Sequence, residues 1–310
     1  MKKDKTLFTN KLKEYTYSIG FQDFGVSKAE ELTTEARNLE KWLAQGLHGE
    51  MKYMENHFDM RINPKNLLPG TKSVISLSHS YFPEKEWTEN RYKIAKYAYG
   101  KDYHKVLKKK LNQIIKWIEN ELGTTIIARG FVDSGPILER TWAQKSGVGW
   151  IGKNSLLLTK AKGSFFFLCE ILVDLELEYN TPVTEYCGKC TKCIDACPTQ
   201  AIIAPYVIDS QKCISYLTIE YKDVLPQEYQ AKMQDWAFGC DICQDVCPIN
   251  GRALPHNEPL FYPNQAFVDL NKEEMESMQI DIFNKIFEGS AIKRTKFEGF
   301  ARNVDFLKPK

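Results

Sequence analysis

No apolar stretch of this 310-residue chain reaches the length of a bilayer-spanning helix, because Lys160, Lys162 and Glu170 interrupt the longest candidate. The N-terminus, MKKDKTLFTNKLKEY, lacks the apolar core of a secretory signal, and no twin-arginine leader is present. Net charge is nearly absent: 42 basic against 40 acidic side chains leave +2, which by itself gives no argument for a polyanionic partner. Internal repeats are missing apart from the cysteine motifs. These absences point to a cytoplasmic globular protein with no membrane partner, and 310 residues at 43% hydrophobic content suffice for two domains.

Cysteine is what this composition does have. Of nine cysteines, four fall in CGKCTKCIDACP from Cys187 to Pro198, three in CDICQDVCP from Cys240 to Pro248, and one at Cys213 between them. This is the spacing that wraps iron-sulfur clusters. In two-cluster ferredoxins the cysteine before the proline reaches to the other cluster. The expected sets are therefore Cys187, Cys190 and Cys193 with Cys247, and Cys197 with Cys213, Cys240 and Cys243. Disulfides would need an oxidising compartment, which the missing leader argues against. Paired CxxC units also make tetrahedral zinc sites, but zinc does not explain a run in which three thiolates close on one cubane and a fourth turns away. Two 4Fe-4S centres and electron transfer are expected. Cys169, inside FFFLCEILV, reads as a buried small hydrophobe.

Apolar positions such as Leu7, Leu12, Tyr15 and Ile19 predict a helix over 5–19, and a second follows over 32–45, with FQDFGVSKA between them as a strand. KSVISLSHSYF, 72–82, alternates like a half-buried strand after the turn signal Pro69-Gly70. A helix over 103–122 stops at Gly123, TTIIARGFV gives another strand, and a helix over 136–146 carries Pro136 in its first turn. Strands at 155–159 and 164–173 complete a first domain over 1–179. Helices mixed with hairpin-adjacent strands predict an α+β sheet domain rather than a doubly wound one. A ferredoxin-like domain is expected over 180–255, with about 25 residues of helical insertion between Cys213 and Cys240, then a basic tail over 256–310. Charge is clustered locally: 101–116 holds six lysines and one aspartate, and 285–310 seven basic and three acidic residues. Either is a phosphate-facing surface or a solvated face.

Three further motifs, YAYGKDYHKVL at 97–107, VDSGPILER at 132–140 and GVGWIGKNSLLLT at 147–159, occur in order with the cysteine pattern and with SAIKRTKFEGFARN at 290–303. Together they closely resemble the epoxyqueuosine reductase family over nearly the whole chain. The resemblance implies a nitroreductase-like sheet domain that binds cobalamin and a bacterial-type ferredoxin domain with two 4Fe-4S clusters. It also implies reduction of epoxyqueuosine to queuosine at the tRNA wobble position, the last step of queuosine biosynthesis. Longer members continue into a helical-repeat domain whereas this sequence runs to Lys310, so any RNA grip from that extension must be absent or replaced.

The same resemblance puts the proton donor at Asp133, which would need its pKa raised by burial to donate at neutral pH. The residues alone favour an aspartate capping a helix near Pro136. Corrin contacts carry over to Arg61, Ala95, Asp133, Asn154, Leu157 and Leu168, with Ser215 and Asp241 from the cluster side. For tRNA the resemblance points to Lys222, Lys293, Arg294, Lys296 and Arg302. The His-on cobalamin motif DxHxxG is only half echoed, since Leu107 stands where glycine belongs, so a base-off cobalamin without a histidine ligand is expected. A low-potential donor such as flavodoxin or ferredoxin and a monomeric enzyme complete the expectation. A corrinoid reductive dehalogenase would use the same cofactors but is usually exported. A plain ferredoxin-type carrier leaves the first domain without a purpose.

Overall fold

The computed structural model describes residues 2–87 and 89–309. Its centre is an antiparallel sheet of β1 (Asp23–Lys28), β2 (Ser73–Ser80), β3 (Ala128–Phe131) and β4 (Phe166–Val173), in the order β1-β2-β4-β3. With helices on both faces this is the α+β arrangement that the sequence predicts. β2 departs from expectation, because all eight of its residues are buried instead of every second one. On one face Ile75 and Leu77 meet Leu12 and the apolar stripe Leu107, Leu111, Ile114 and Ile118 of the helix Tyr103–Leu122. On the other, Val74 and Leu172 meet Trp142 of the helix Glu139–Lys145. Full burial of such a side chain stabilises by about 1.5–3 kcal/mol before entropy is counted, so both layers hold the sheet. Gly25 lets the second layer close: a Cβ there would lie 2.2 Å from the Ser146 carbonyl.

Asp102 caps the helix Tyr103–Leu122 by accepting the His104 N–H at 3.1 Å, and Gly123 ends it at φ +64. The next helix starts at Glu139 and not at 136. Burial of Ile137 against Phe131 and Trp142 pins the chain as a loop before the helix can begin. Asp133 therefore caps no helix, and it sits at φ +55. The strand expected over 155–159 shrinks to Leu157–Leu158, paired with Trp150–Ile151.

Short helices Lys192–Asp195 and Ile242–Asp245 carry Cys193 and Cys243, the last cysteines of their CxxC units. The segment between Cys213 and Cys240 is helical only in part, at Ile214–Ile219 and in the 3-10 turns Gln227–Lys232. Its end, Trp236–Phe238, is a strand lying parallel to Lys93–Ile94, because three buried apolar residues find cover there. The tail is also more than a basic surface. Phe283, Phe287 and Phe300 bury against Tyr92, Ile94, Ala98 and Tyr99, and the buried Asn303 amide donates to the Thr218 and Ala237 carbonyls. No helix among the described residues is long and apolar enough to cross a membrane.

Candidate active site

The loop between β3 and the helix Glu139–Lys145 presents Asp133. Its Oδ2 accepts the Tyr103 hydroxyl at 2.8 Å and lies 3.1 Å from His104 Nε2, while its N–H donates to Glu139 Oε1 at 2.6 Å. His104 Nδ1 is 2.7 Å from Asp102 Oδ1. Helix capping fixes this geometry: the first turn that holds Asp102 against the His104 N–H also aims Tyr103 and His104 at the loop. Tyr103 is stacked on Phe167 with centroids 4.1 Å apart, which ties the site to β4.

Burial disfavours charge at Asp133, yet hydrogen bonds from His104 and Tyr103 and the charges of His104 and Arg294 outweigh it, holding the carboxyl below its usual range. The raised value expected of this aspartate belongs to burial against a corrin, and the protein groups around it by themselves hold it low. His104 moves the other way: burial lowers it, but its bonds to Asp102 and Asp133 lift it to about 9. At neutral pH the proton therefore resides on the imidazole, between two carboxylates.

The Asp133 side chain is 56% exposed and Arg140 is exposed as well, yet the surrounding protein desolvates both. Groups open to solvent but desolvated by their neighbours fit a recess better than a convex surface. Tyr53 stands near it, its hydroxyl pushed up to about 12 by burial and by the Glu220 charge, with Asp133 also in its field. The small hollow of about 120 Å3 lined by Tyr99, Lys101, Tyr262 and Phe287 is separate, belongs to the tail and is too small for a macrocycle.

No cysteine is joined to another in a disulfide. Cys193 lies near Cys187 and Cys247, and Cys190 is tied by its N–H to the Cys187 carbonyl at 2.9 Å. Cys213 lies near Cys197 and Cys240, and Cys243 near Cys213, Cys193 and Cys197. Among the described residues, no three His, Cys, Asp or Glu side chains converge as a mononuclear metal site requires. Burial pushes the thiols of Cys240 and Cys243 far up, so as bare thiolates they would be costly. Donors are nonetheless aimed at sulfur. The Ala201 N–H reaches Cys197 Sγ at 3.3 Å, the Ser215 and Tyr216 N–H groups face Cys213, and the Ile242 N–H faces Cys240. The indole N–H of Trp150, without another partner, faces Cys187. A set of buried thiols ringed by N–H donors fits anionic cluster ligation.

Several residues expected at the corrin gather around the Cys240–Cys243 loop. Asp241 accepts the Lys96 N–H at 2.8 Å, and burial raises it to about 7. Ala95 donates its N–H to Phe238, and Asn154 reaches the Cys243 carbonyl at 3.4 Å. Leu157 and Leu168 share an apolar cluster with Val148 and Phe166. Arg61 is buried, with its guanidinium on the Tyr53 and Asn56 carbonyls. Ser215 meets Cys213 through its backbone. Sequence reasoning does not single out Tyr103, Tyr53, Glu139 or Arg140. The DYH triplet holds the signal for Tyr103, since a capped helix start presents consecutive side chains to one loop.

Of the basic residues, Arg302 is consumed internally, donating to the Leu217, Tyr221 and Asp223 carbonyls. Lys222, Lys293 and Lys296 are exposed, and Arg294 is half exposed while paired with Glu220 at 2.8 Å. Arg294 also lies in the field of Asp133, so this basic edge adjoins the recess.

Known proteins resemble this chain over nearly its whole length. The family model described as "Epoxyqueuosine reductase QueG, DUF1730" matches residues 61–134, and the 4Fe-4S double cluster binding domain matches 186–250. The epoxyqueuosine reductase of Cellulophaga algicola is 55% identical over 96% of this chain and 97% of its own. A crystal structure of epoxyqueuosine reductase with an epoxyqueuosine-modified tRNA-Tyr stem loop aligns with TM-score 0.89 at 29% identity, covering 97% of this chain and 80% of that one. The Bacillus subtilis enzyme, TM-score 0.88 at 28% identity over 97% of this chain and 81% of that one, has been solved with its catalytic aspartate loop swung out of the active site. The chain belongs to the epoxyqueuosine reductase family.

Proposed function

We propose that this chain reduces epoxyqueuosine to queuosine at the wobble position of tRNA, consuming two electrons and two protons and releasing the epoxide oxygen as water. Family membership supplies the reaction. The observation that carries it to particular residues is the position of Asp133, whose carboxylate faces a recess and is hydrogen-bonded to a protonated imidazole.

The recess suits cobalamin bound base-off. Both nitrogens of His104 are engaged by carboxylates, so it is not free to ligate cobalt. When bound, the reduced corrin supplies a strong nucleophile toward an epoxide carbon. Ala95, Leu157 and Leu168 offer it apolar wall, and Arg61, Asn154, Ser215 and Asp241 polar edges. Asp133 relays to the opening oxygen the proton that His104 holds, and water excluded by cofactor and base raises the aspartate toward that task.

Eight cysteines would hold two 4Fe-4S clusters, whose chemistry is to supply electrons one at a time. The set Cys197, Cys213, Cys240 and Cys243 is the nearer to Asp133, since the half-buried Tyr97 stands in the fields of both Asp133 and Asp241, the residue between Cys240 and Cys243. The set Cys187, Cys190, Cys193 and Cys247 would hold the cluster open to a low-potential donor such as flavodoxin or ferredoxin, in a reducing cytoplasm that keeps the eight cysteines out of disulfides. Lys222, Lys293, Arg294 and Lys296 hold RNA phosphates, which position the strand while the modified base is read in the recess. Incubating the anaerobically loaded protein with epoxyqueuosine-tRNA and a reductant should yield nucleosides lighter by one oxygen. Loaded protein that leaves the epoxide intact would refute the reading.

A further inference from the structure

Glu139 and Glu170 stand behind the Asp133 loop, and no step described above uses them. Glu170 lies in β4 with 0% of its surface exposed, paired across the sheet with Ser76 on one side and Phe131 on the other. Both of its carboxyl oxygens and the Ser76 hydroxyl lack a hydrogen-bond partner. Glu139, the first residue of its helix, comes within hydrogen-bonding reach of Glu170 and also accepts the Asp133 N–H at 2.6 Å. Two carboxylates in contact have no hydrogen to share, which is what leaves Glu170 orphaned. A single proton between them supplies the missing bond and leaves one negative charge in place of two.

We propose that Glu139 and Glu170 share one proton and together latch the Asp133 loop in its inward pose. The proposal rests on the reading of Asp133 as catalytic and deepens it. Asp133 holds a left-handed backbone at φ +55, which a non-glycine residue keeps only when its surroundings enforce it. Glu139 is the enforcer: one oxygen takes the Asp133 N–H while its carboxyl is held from behind by Glu170. Burial, with the Asp133 charge, pushes Glu139 up, and burial with the Glu139 charge pushes Glu170 further. Arg140 offsets part of this at Glu139, and Cys169, a buried thiol, flanks Glu170. Removing the shared proton puts three carboxylates in a row, from Asp133 through Glu139 to Glu170. Their repulsion frees the loop as pH rises.

The test compares Glu139→Leu, Glu139→Gln and Glu170→Gln in cluster-loaded protein, by difference infrared spectroscopy and by hydrogen exchange of 131–138. The wild type should show a protonated-carboxyl band at neutral pH that fades on alkaline titration, and Glu170→Gln should lose it. Glu139→Leu should exchange about tenfold faster at 131–138, the loss expected for one charge-assisted hydrogen bond. Glu139→Gln keeps a carbonyl acceptor and should restore slow exchange, leaving only the smaller alkaline response that loss of the His104 proton gives near pH 9. Glu139→Gln thus keeps the proposal falsifiable if the leucine variant does not fold. Absence of the band at neutral pH, or exchange at 131–138 indifferent to all three changes, would overturn the latch. Exchange that responds while turnover does not would support the latch and count against the catalytic role of Asp133.

Discussion

His104 Nε2 lies 3.1 Å from the carboxylate of Asp133, and this contact sets the protonation of both. The aspartate is held low and the histidine raised to about 9, so the pair stores its proton on the imidazole at neutral pH. In the proposed reaction this pair serves as the proton relay, and substituting the aspartate separates chemistry from binding.

Asp133→Asn should keep clusters and cobalamin while losing turnover by about 10²–10⁴, the range for a positioned proton-transfer group. Single-turnover measurement with cofactor content checked in the same sample tests this. Undiminished turnover would remove Asp133 from the reaction.

The same contact has a consequence for stability. A histidine raised from an unfolded value of about 6.5 contributes stability that is fully present below that pH and is lost as pH rises through about 9. Urea unfolding from pH 6 to 10 should therefore show a decline in this window that His104→Gln flattens. The two aspartates contribute on the acid side, where their lowered values make stability fall as they are protonated.

Trp150→Phe removes the indole N–H that faces Cys187. A donor to a ligand sulfur favours the reduced, more negative cluster, so its loss should shift one cluster potential to a more negative value and leave the other in place. A redox titration followed by paramagnetic resonance reads both. Identical potentials in the variant and the wild type would contradict the contact.

Reversing or removing Lys293 and Lys296 should weaken tRNA binding and reduce the slope of log affinity against log salt by about 0.7–0.9 for each phosphate left without its lysine. Arg302→Ala should act differently. Its guanidinium holds three carbonyls of the 217–223 segment, so the variant should unfold more readily before it loses salt dependence.

What is legible in the sequence follows from how local each signal is. The cysteine motifs keep their spacing along the chain, and Gly123 ends a helix by its own backbone freedom. The Tyr103–Asp133 bond spans 30 residues and joins a helix start to a distant loop, which no periodicity records. β2 reads as half-buried because its serines look solvent-facing, yet Ser73 and Ser78 hide by bonding to the Leu175 carbonyl and to Asp23. A helix from Pro136 is the natural expectation because proline suits a first turn generally, whereas here the burial of Ile137 decides the start. The family resemblance points Arg302 toward RNA. Only the fold shows that its donors are already taken.

The most direct test of the central claim is metal and sulfide analysis of oxygen-free protein, with the paramagnetic spectrum of added cob(II)alamin, in the wild type and in Cys213→Ala. The account expects roughly eight irons and eight sulfides per chain, about half in the variant, and a cobalt signal without coupling to a nitrogen ligand. Zinc in place of iron and sulfide, or iron unchanged by loss of Cys213, would contradict it.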